Sequence, residues 1–228
     1  LAPVKYAYIA ILSIANDSRH CGCNRSVLAY SPSGPRCWLA RCYIESFFTS
    51  TSNMLNAGPF TLRPYRDSDA TEMSAAVRES AETVGRWMTW AKPDFSDYDA
   101  VCWFAHCRQS RAAGTTHEFG IFTHDGRFVG GCGLNQFSSI NKLCNLGYWV
   151  RQSHQRAGAA TAAVLALREL GLNRLALSRI EIVVADGNEA SMGVARKAGA
   201  THECLARNRL QLHGKPVAAH MFSFTSGS

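Results

Sequence analysis

A chain of 228 residues with 24 Lys and Arg against 17 Asp and Glu, net +7, is long enough to bury one sizeable core and still carry an extension. The positive charge is nowhere gathered into a run of five or six like residues, which argues against a nucleic-acid partner, and no apolar stretch reaches the ~18–20 residues needed to cross a bilayer. The nine cysteines are odd in number and uneven in placement, with no Cys-x-x-Cys spacing, so neither a metal site nor a disulfide framework is expected and the setting is taken as cytoplasmic.

Lys5 followed by Tyr6 to Leu12 imitates the core of a signal peptide, but no small-x-small cleavage site comes after it. From Ser13 to Ala57 the chain is rich in Ser, Asn, Gly and Pro without a sustained period, and it holds four of the cysteines, Cys21, Cys23, Cys37 and Cys42. Residues 1–57 therefore read as a poorly ordered N-terminal extension and residues 58–228 as the folded domain.

Phe60 to Pro64 reads as an edge strand, since a proline needs a place where no ladder hydrogen bond is required. Asp67-Ser68-Asp69 starts a helix with Ala70, Met73, Ala76 and Val77 on one face. Arg86 to Trp90 is expected to form a second short helix, and Tyr98 to Ala112 a third. The pattern then changes to strands: His117 to Phe122, an Asp125-Gly126 turn, Phe128 to Leu134, and Cys144 to Val150. After a helix from about Ala160 to Leu172 come a strand at Arg179 to Val184, a helix at Asn188 to Ala198 closed by Gly199, and a final hairpin around Gly214-Lys215-Pro216.

The centre of this order is the passage from Leu146 to Val150, through Gln155-Arg156-Ala157-Gly158-Ala159-Ala160, into the Ala/Leu helix. Period two gives way to period 3.6 at Gly158. A helix that starts on a glycine directs unpaired N–H groups outward and leaves its backbone open to close approach by an anion. Its dipole places about +0.5 charge there, so two linked phosphates suit it better than one. Neither a P-loop nor a dinucleotide Gly-x-Gly-x-x-Gly pattern is present.

Gln155 to Ala160 resembles the Gln/Arg-x-x-Gly-x-Gly/Ala signature of the GNAT superfamily of N-acetyltransferases, whose backbone amides hold the pyrophosphate of acetyl-CoA. Further blocks stand in the order found in the ribosomal-protein acetyltransferases of RimJ/RimL type: Leu62-Arg63-Pro64, Arg86 to Trp90, Gly130 to Leu134, Gly147 to Val150, Asn188 to Ser191 and Lys197 to Ala200. The resemblance covers about Gly58 to Ser223. It implies an α/β (α+β) GNAT fold, with a mixed, mostly antiparallel sheet of six to seven strands flanked by helices and a splayed central strand pair. It also implies acetyl-CoA as co-substrate with no metal.

On that resemblance, Trp149, Val150 and Arg151 pair their backbone with the pantetheine arm, Gln155, Arg156, Ala157, Gly158, Ala159 and Ala160 hold the diphosphate, and Asn188 adds a hydrogen bond to pantetheine beside its ordinary role as a helix N-cap. Gly147 marks a bulge that frees a backbone N–H for the thioester oxygen. Ser191 donates to the departing sulfur, a place where many relatives use Tyr. Trp87 and Trp90 shape the acceptor groove, with core packing as the equal alternative.

Many relatives carry a glutamate just before the Leu/Ile-Gly-Tyr block, where this chain has Asn145, which cannot take a proton. Glu118 is the substitute base and Tyr148 the next candidate, with Asn145 left to the acceptor side. An α-amino group titrates near 7.7–8.0 and lysine near 10.4, so neutral lysine is scarcer at pH 7 by about 3.5 kcal/mol. The expected acceptor is therefore a peptide or protein N-terminus, such as that of a ribosomal protein, modified by direct transfer in a ternary complex. A small amine acceptor and a non-catalytic CoA-binding module stay open, as does the choice between monomer and homodimer.

Overall fold

The structure, a computed structural model, describes residues 54–227. The calls made on residues 1–53, including the signal-like segment and the four early cysteines, lie outside the described residues. Among the described residues eight strands form one sheet: β1 (Leu55–Ala57), β2 (Phe60–Arg63), β3 (His117–Thr123), β4 (Phe128–Ser138), β5 (Leu143–Val150), β6 (Arg179–Ala185), β7 (Thr201–Leu212) and β8 (Lys215–Thr225). Their order is β1-β2-β3-β4-β5-β6-β8-β7, and every pairing is antiparallel except β5 with β6. The expected mixed, mostly antiparallel sheet is present.

Two corrections come from its first edge. The count is eight rather than six to seven, because Leu55, Asn56 and Ala57 pair with Leu62, Thr61 and Phe60 inside the stretch assigned to the extension. Gly58 is the left-handed turn of that hairpin (φ +65°), so the sheet begins three residues before the expected boundary. Consequently β2 is interior and β1 is the edge. Pro64 causes no conflict, since it follows the last paired residue, Arg63.

Among the described residues four α-helices flank the sheet: α1 (Ala70–Glu79), α2 (Asp97–Ala112), α3 (Ala159–Glu169) and α4 (Glu189–Lys197). α2 starts on a capping box, in which Ser96 Oγ accepts from the N–H of Asp99 and the Asp99 carboxylate accepts from the N–H of Ser96. The Asp69 carboxylate likewise accepts from the Arg66 N–H at 2.8 Å and also holds Arg63 in a two-pronged pair, both contacts 2.8 Å, which joins the end of β2 to the start of α1. The helix expected at Arg86 to Trp90 is absent. Residues 80–90 make successive turns that mix three- and four-residue spacing, such as Thr83 N and Val84 N to Ser80 O and Trp87 N and Met88 N to Val84 O, with Gly85, a weak helix former, between them.

Period two along the strands builds a core on each face. Cys132, Leu134, Leu146, Ile180, Ile182 and Phe222 pack under α3 and α4. Phe122, Phe128 and Trp149 pack with Tyr65 under α1 and α2, around Met73, Val77 and Phe104. Fully buried rings such as Phe104, Phe128 and Phe222 each contribute about 1.5–3 kcal/mol. α3 is the parallel crossover between β5 and β6, and it ends in a five-residue π-type turn at Leu170–Arg174 where a longer helix was expected.

The feature that positions the site is where β5 and β6 part. They pair at Leu143 with Arg179, Cys144 with Ile180 and Asn145 with Glu181, and then the ladder stops. Beyond Asn145 the edge of β5 facing β6 is unpaired. The bulge expected at Gly147 is not there. Gly147 pairs in register with Gly133, and the irregularity between β4 and β5 falls between Asn135 and Ser138. The strands separate because the β8 side holds β6 through Ala185 while β4 holds β5 through Val150.

Candidate active site

The parting strands open into a cavity of about 890 Å³, bordered by β5 from Asn145 to Val150, the loop into α3, and the first turns of α4. Turn residues Thr83, Trp87 and Met88 cover it from the α1 side. Such a volume suits one elongated small molecule.

At its outer end the chain turns twice through positive φ, at Arg156 (+64°) and Gly158 (+85°). Gly158 is the N-cap of α3 and offers no side chain to the first-turn N–H groups, and a Cβ there would meet no atom within 4 Å. These donors therefore face open space at a helix start, the arrangement that binds phosphate. Gln155, Arg156, Gly158, Ala159 and Ala160 border the cavity, while Ala157 does not. The Gln155 amide reaches back to the Val150 carbonyl at 3.3 Å, so this side chain fastens the turn to the strand.

Arg151 does not border the cavity. Its guanidinium lies on Glu79, with Nε at 3.1 Å, and on the Phe128 carbonyl at 3.3 Å. Ser153 N donates to the same carboxylate at 2.6 Å and Gln152 N to Ser80 Oγ at 2.9 Å, so the end of α1 anchors the loop. Partial burial alone would raise the Glu79 pKa, but the hydrogen bonds from Arg151 and Ser153 hold it at about 2. The expectation for Arg151 concerns its backbone, which follows the last residue of β5 and whose N–H donates to the Val129 carbonyl at 2.9 Å.

Across the opening stands the start of α4. Asn188 Oδ1 accepts from Ser191 N at 3.1 Å, the expected N-cap, and this fixes Ser191 in the first turn. Tyr148 Oη, coming from β5, lies 2.9 Å from Ser191 Oγ and 3.1 Å from its carbonyl oxygen. Burial pushes the phenol up to about 12, with the Ser191 hydrogen bond acting the other way, so it keeps its proton. The carbonyl only accepts, so Tyr148 gives its proton toward Ser191, shared between that oxygen and Oγ, and the Ser191 hydroxyl keeps its own proton to point at an atom in the cavity.

Asn145 borders the inner end, and Trp149 and Val150 border the strand side. Trp87 also lines the cavity, with the Arg86 guanidinium 4.9 Å over its ring. Trp90 does not. It is buried against Trp149, ring centroids 5.5 Å apart, in the core beneath α1 and α2. Of the two readings of Trp90, packing is where the structure places it.

Glu118 is also outside the cavity lining, 3% exposed, on β3. Its Oε1 accepts from Asn135 Nδ2 at 3.1 Å, and Asn135 Oδ1 accepts from Asn145 Nδ2 at 3.0 Å. Burial raises the carboxyl to about 7, against the opposing effects of Asn135 and Arg111. Room for it comes from Gly133, where a Cβ would overlap the carboxylate.

Several lining residues were not anticipated, among them Thr83, Met88, His154, Thr161 and Lys197. Lys197 had a signal: Ser191, Val194 and Lys197 share one face of α4 at three-residue spacing. Met88 lay inside the Arg86 to Trp90 block but had no role assigned, and Thr83 had no signal, since irregular turns bring both there. Among the described residues no cluster of His, Cys, Asp or Glu is placed to hold a metal, and no helix is long and apolar enough to cross a membrane.

Comparison with known proteins agrees with this geometry. The family model for the acetyltransferase (GNAT) domain matches residues 60–201. The chain is similar to the "Putative ribosomal N-acetyltransferase YdaF" of Bacillus subtilis (strain 168), 27% identical over 155 residues, 68% of this chain and 84% of that protein. Among solved structures it is similar to a "putative ribosomal-protein-serine acetyltransferase" from Vibrio cholerae, 28% identical with a TM-score of 0.66 over 75% of this chain and 97% of that one. It is also similar to Mycobacterium smegmatis RimJ in complex with CoA-disulfide, 26% identical with a TM-score of 0.69 over 76% and 86% of the two chains.

Proposed function

The chain belongs to the GNAT acetyltransferase family, and as an acetyl-CoA-dependent N-acetyltransferase of that family it acts, we propose, on the N-terminal amine of a peptide or protein. The observation that carries this choice of acceptor is Asn145 at the inner end of the cavity, where the strands part. An amide accepts a hydrogen bond but takes no proton. An α-amino group, about a tenth or more neutral at pH 7, can react there, whereas lysine, under a thousandth neutral, needs a committed base. The names carried by YdaF and the Vibrio cholerae protein support a ribosomal protein as the source of that N-terminus.

The residues divide the work along β5. Acetyl-CoA supplies the acyl group as a thioester. The N–H groups at Gly158, Ala159 and Ala160 receive its diphosphate, with Arg156 beside them. The unpaired edge from Leu146 to Val150, five residues at roughly 3.3 Å each, gives an extended amide-bearing arm a strand to pair with. That leads the reacting end toward Asn145, Tyr148 and Ser191. There the hydroxyl pair donates to the departing sulfur as charge develops on it. Trp87 and Met88 exclude water from the acceptor side. No covalent enzyme intermediate is needed, because none of Cys102, Cys107, Cys132, Cys144 and Cys204 lines the cavity.

We assign the catalytic unit to the sheet that begins at Leu55. The test is thiol release from acetyl-CoA, with the full chain and with one starting at Asn53, against N-terminal peptides, a polyamine and an amino sugar. Saturable turnover with the peptides alone, equal in the two chains, is the expected result. Turnover only with free small amines would move the acceptor class, and coenzyme binding without thiol release from any of them would make the protein a binding module.

A further inference from the structure

A file of polar side chains runs through the face of the sheet that packs under α1 and α2, and the transfer chemistry above uses only its last member, Asn145. Glu118, Asn135 and Asn145 stand on β3, β4 and β5, and all three are buried. Asn135 is directly opposite Asn145 in the ladder, and Glu118 is directly opposite Gly133, one diagonal step from Asn135. Glycine at 133 lets the carboxylate lie across β4 and reach the Asn135 amide.

The direction of the two amides follows from what each group can do. Asn135 turns its NH2 toward Glu118 Oε1, and a carboxyl group keeps an accepting oxygen in either protonation state. Its oxygen then faces Asn145, which must answer with its own NH2. The oxygen of Asn145 is left over, and Asn145 borders the cavity at the point where β5 loses β6. The same logic separates Glu118 from proton transfer: two amides lie between it and the cavity, and neither is an ordinary proton carrier.

We propose that Glu118, acting through Asn135, holds the Asn145 amide with its Oδ1 toward the cavity, where that oxygen accepts an N–H of the incoming primary amine and aims the nitrogen at the acyl carbon. Asn145 is then the residue that touches substrate, and Glu118 and Asn135 are positioning residues. With its oxygen forward the amide takes a donor, so the site favours an amine that still carries N–H bonds over an alcohol or a tertiary amine. The inference rests on the acetyltransferase reading.

The test separates positioning from proton transfer in the full chain, with acetyl-CoA and an N-terminal peptide. Asn135→Leu and Glu118→Leu are expected to raise the amine KM about tenfold, the scale of one well-placed hydrogen bond, with a smaller effect on kcat. Glu118→Gln keeps an acceptor oxygen for Asn135, so it should recover most of the loss seen in Glu118→Leu. In all variants the rising limb of the pH–rate profile should still follow the pKa of the acceptor amine. Acetyl-CoA affinity within about twofold of wild type certifies the fold, and Glu118→Gln, which conserves volume, carries the test alone if the leucine variants do not fold. A fall in kcat on the order of 10²-fold or more in Glu118→Gln, with the limb displaced or lost, would identify Glu118 as the base and overturn the proposal. An unchanged amine KM in a folded Asn135→Leu would overturn it as well. A wild-type protein that releases no thiol with any amine would instead count against the acetyltransferase reading beneath it.

Discussion

Tyr148 Oη sits 2.9 Å from Ser191 Oγ, joining β5 to the first turn of α4 across the gap where the sheet has lost its ladder. Ser191 is held there by Asn188, and Tyr148 by its place in the β4–β5 register opposite Cys132. If the pair donates as a unit to the leaving sulfur, Tyr148→Phe and Ser191→Ala should each lower kcat by about 10²-fold, the low end for a proton-transfer group. Acetyl-CoA affinity should stay within about threefold. The double variant should lose much less than the product of the two, since each single change already breaks the relay. Steady-state kinetics on the three variants checks this, and strictly multiplicative losses would mean the hydroxyls act separately.

The phosphate cradle makes a different prediction. Gly158 has φ +85° and empty space where its side chain would be, so a replacement meets backbone strain but no collision. Gly158→Glu should therefore cost about 1–2 kcal/mol of stability from the left-handed conformation, while placing a negative charge against the first-turn N–H groups. Acetyl-CoA Kd should rise at least tenfold by calorimetry, and a coenzyme lacking the diphosphate should show a much smaller change. Equal affinity in variant and wild type would place the diphosphate elsewhere.

The difference between what the sequence showed here and what it hid lies in the range of the interactions. The Gly158 turn, the Asn188 cap and the β5–α3–β6 crossover are local, since glycine, capping and period signals lie within a few residues of one another. The Arg151 side chain could not be placed because its partner Glu79 is 72 residues away, and nothing near Arg151 announces it. β1 was missed because three residues carry almost no period, and only pairing with β2 makes them a strand. The Arg86 to Trp90 segment has helical spacing, yet Trp90 is drawn into the core by Trp149, and tertiary packing prevails over that local pattern. Asn145 could be seen to break the family pattern, but the carboxylate that stands behind it could be found only in the sheet register.

Glu118 should leave a mark on stability with pH. Its carboxyl rises from 4.5 to about 7 on folding because burial disfavours the charge. Between those pH values the folded protein binds more protons at this site than the unfolded chain, so this contribution falls as pH rises from about 4.5 and is fully unfavourable above about 7. At about 1.4 kcal/mol per unit, the total is on the order of 3–4 kcal/mol. Glu118→Gln carries no such charge. The difference in Tm between Glu118→Gln and wild type should therefore grow in favour of the variant from pH 5 to pH 8. A difference independent of pH would show that the carboxyl is not desolvated.

Two glycine-to-alanine changes should act in opposite directions. A Cβ at Gly133 would overlap the Glu118 carboxylate, which burial and Asn135 keep from moving aside. Gly133→Ala should cost about 1–3 kcal/mol as an overpacked core and raise the amine KM through the displaced carboxylate. A Cβ at Gly193, inside α4, would meet nothing within 4 Å, so Gly193→Ala should gain up to about 1 kcal/mol of helix propensity. Denaturant unfolding of both variants measures the contrast. Placing Gly133→Ala in a Glu118→Ala background should restore most of the lost stability, because the colliding group is then gone. If the cost of Gly133→Ala stayed the same in that background, it would arise from the strand itself and not from the carboxylate lying across it.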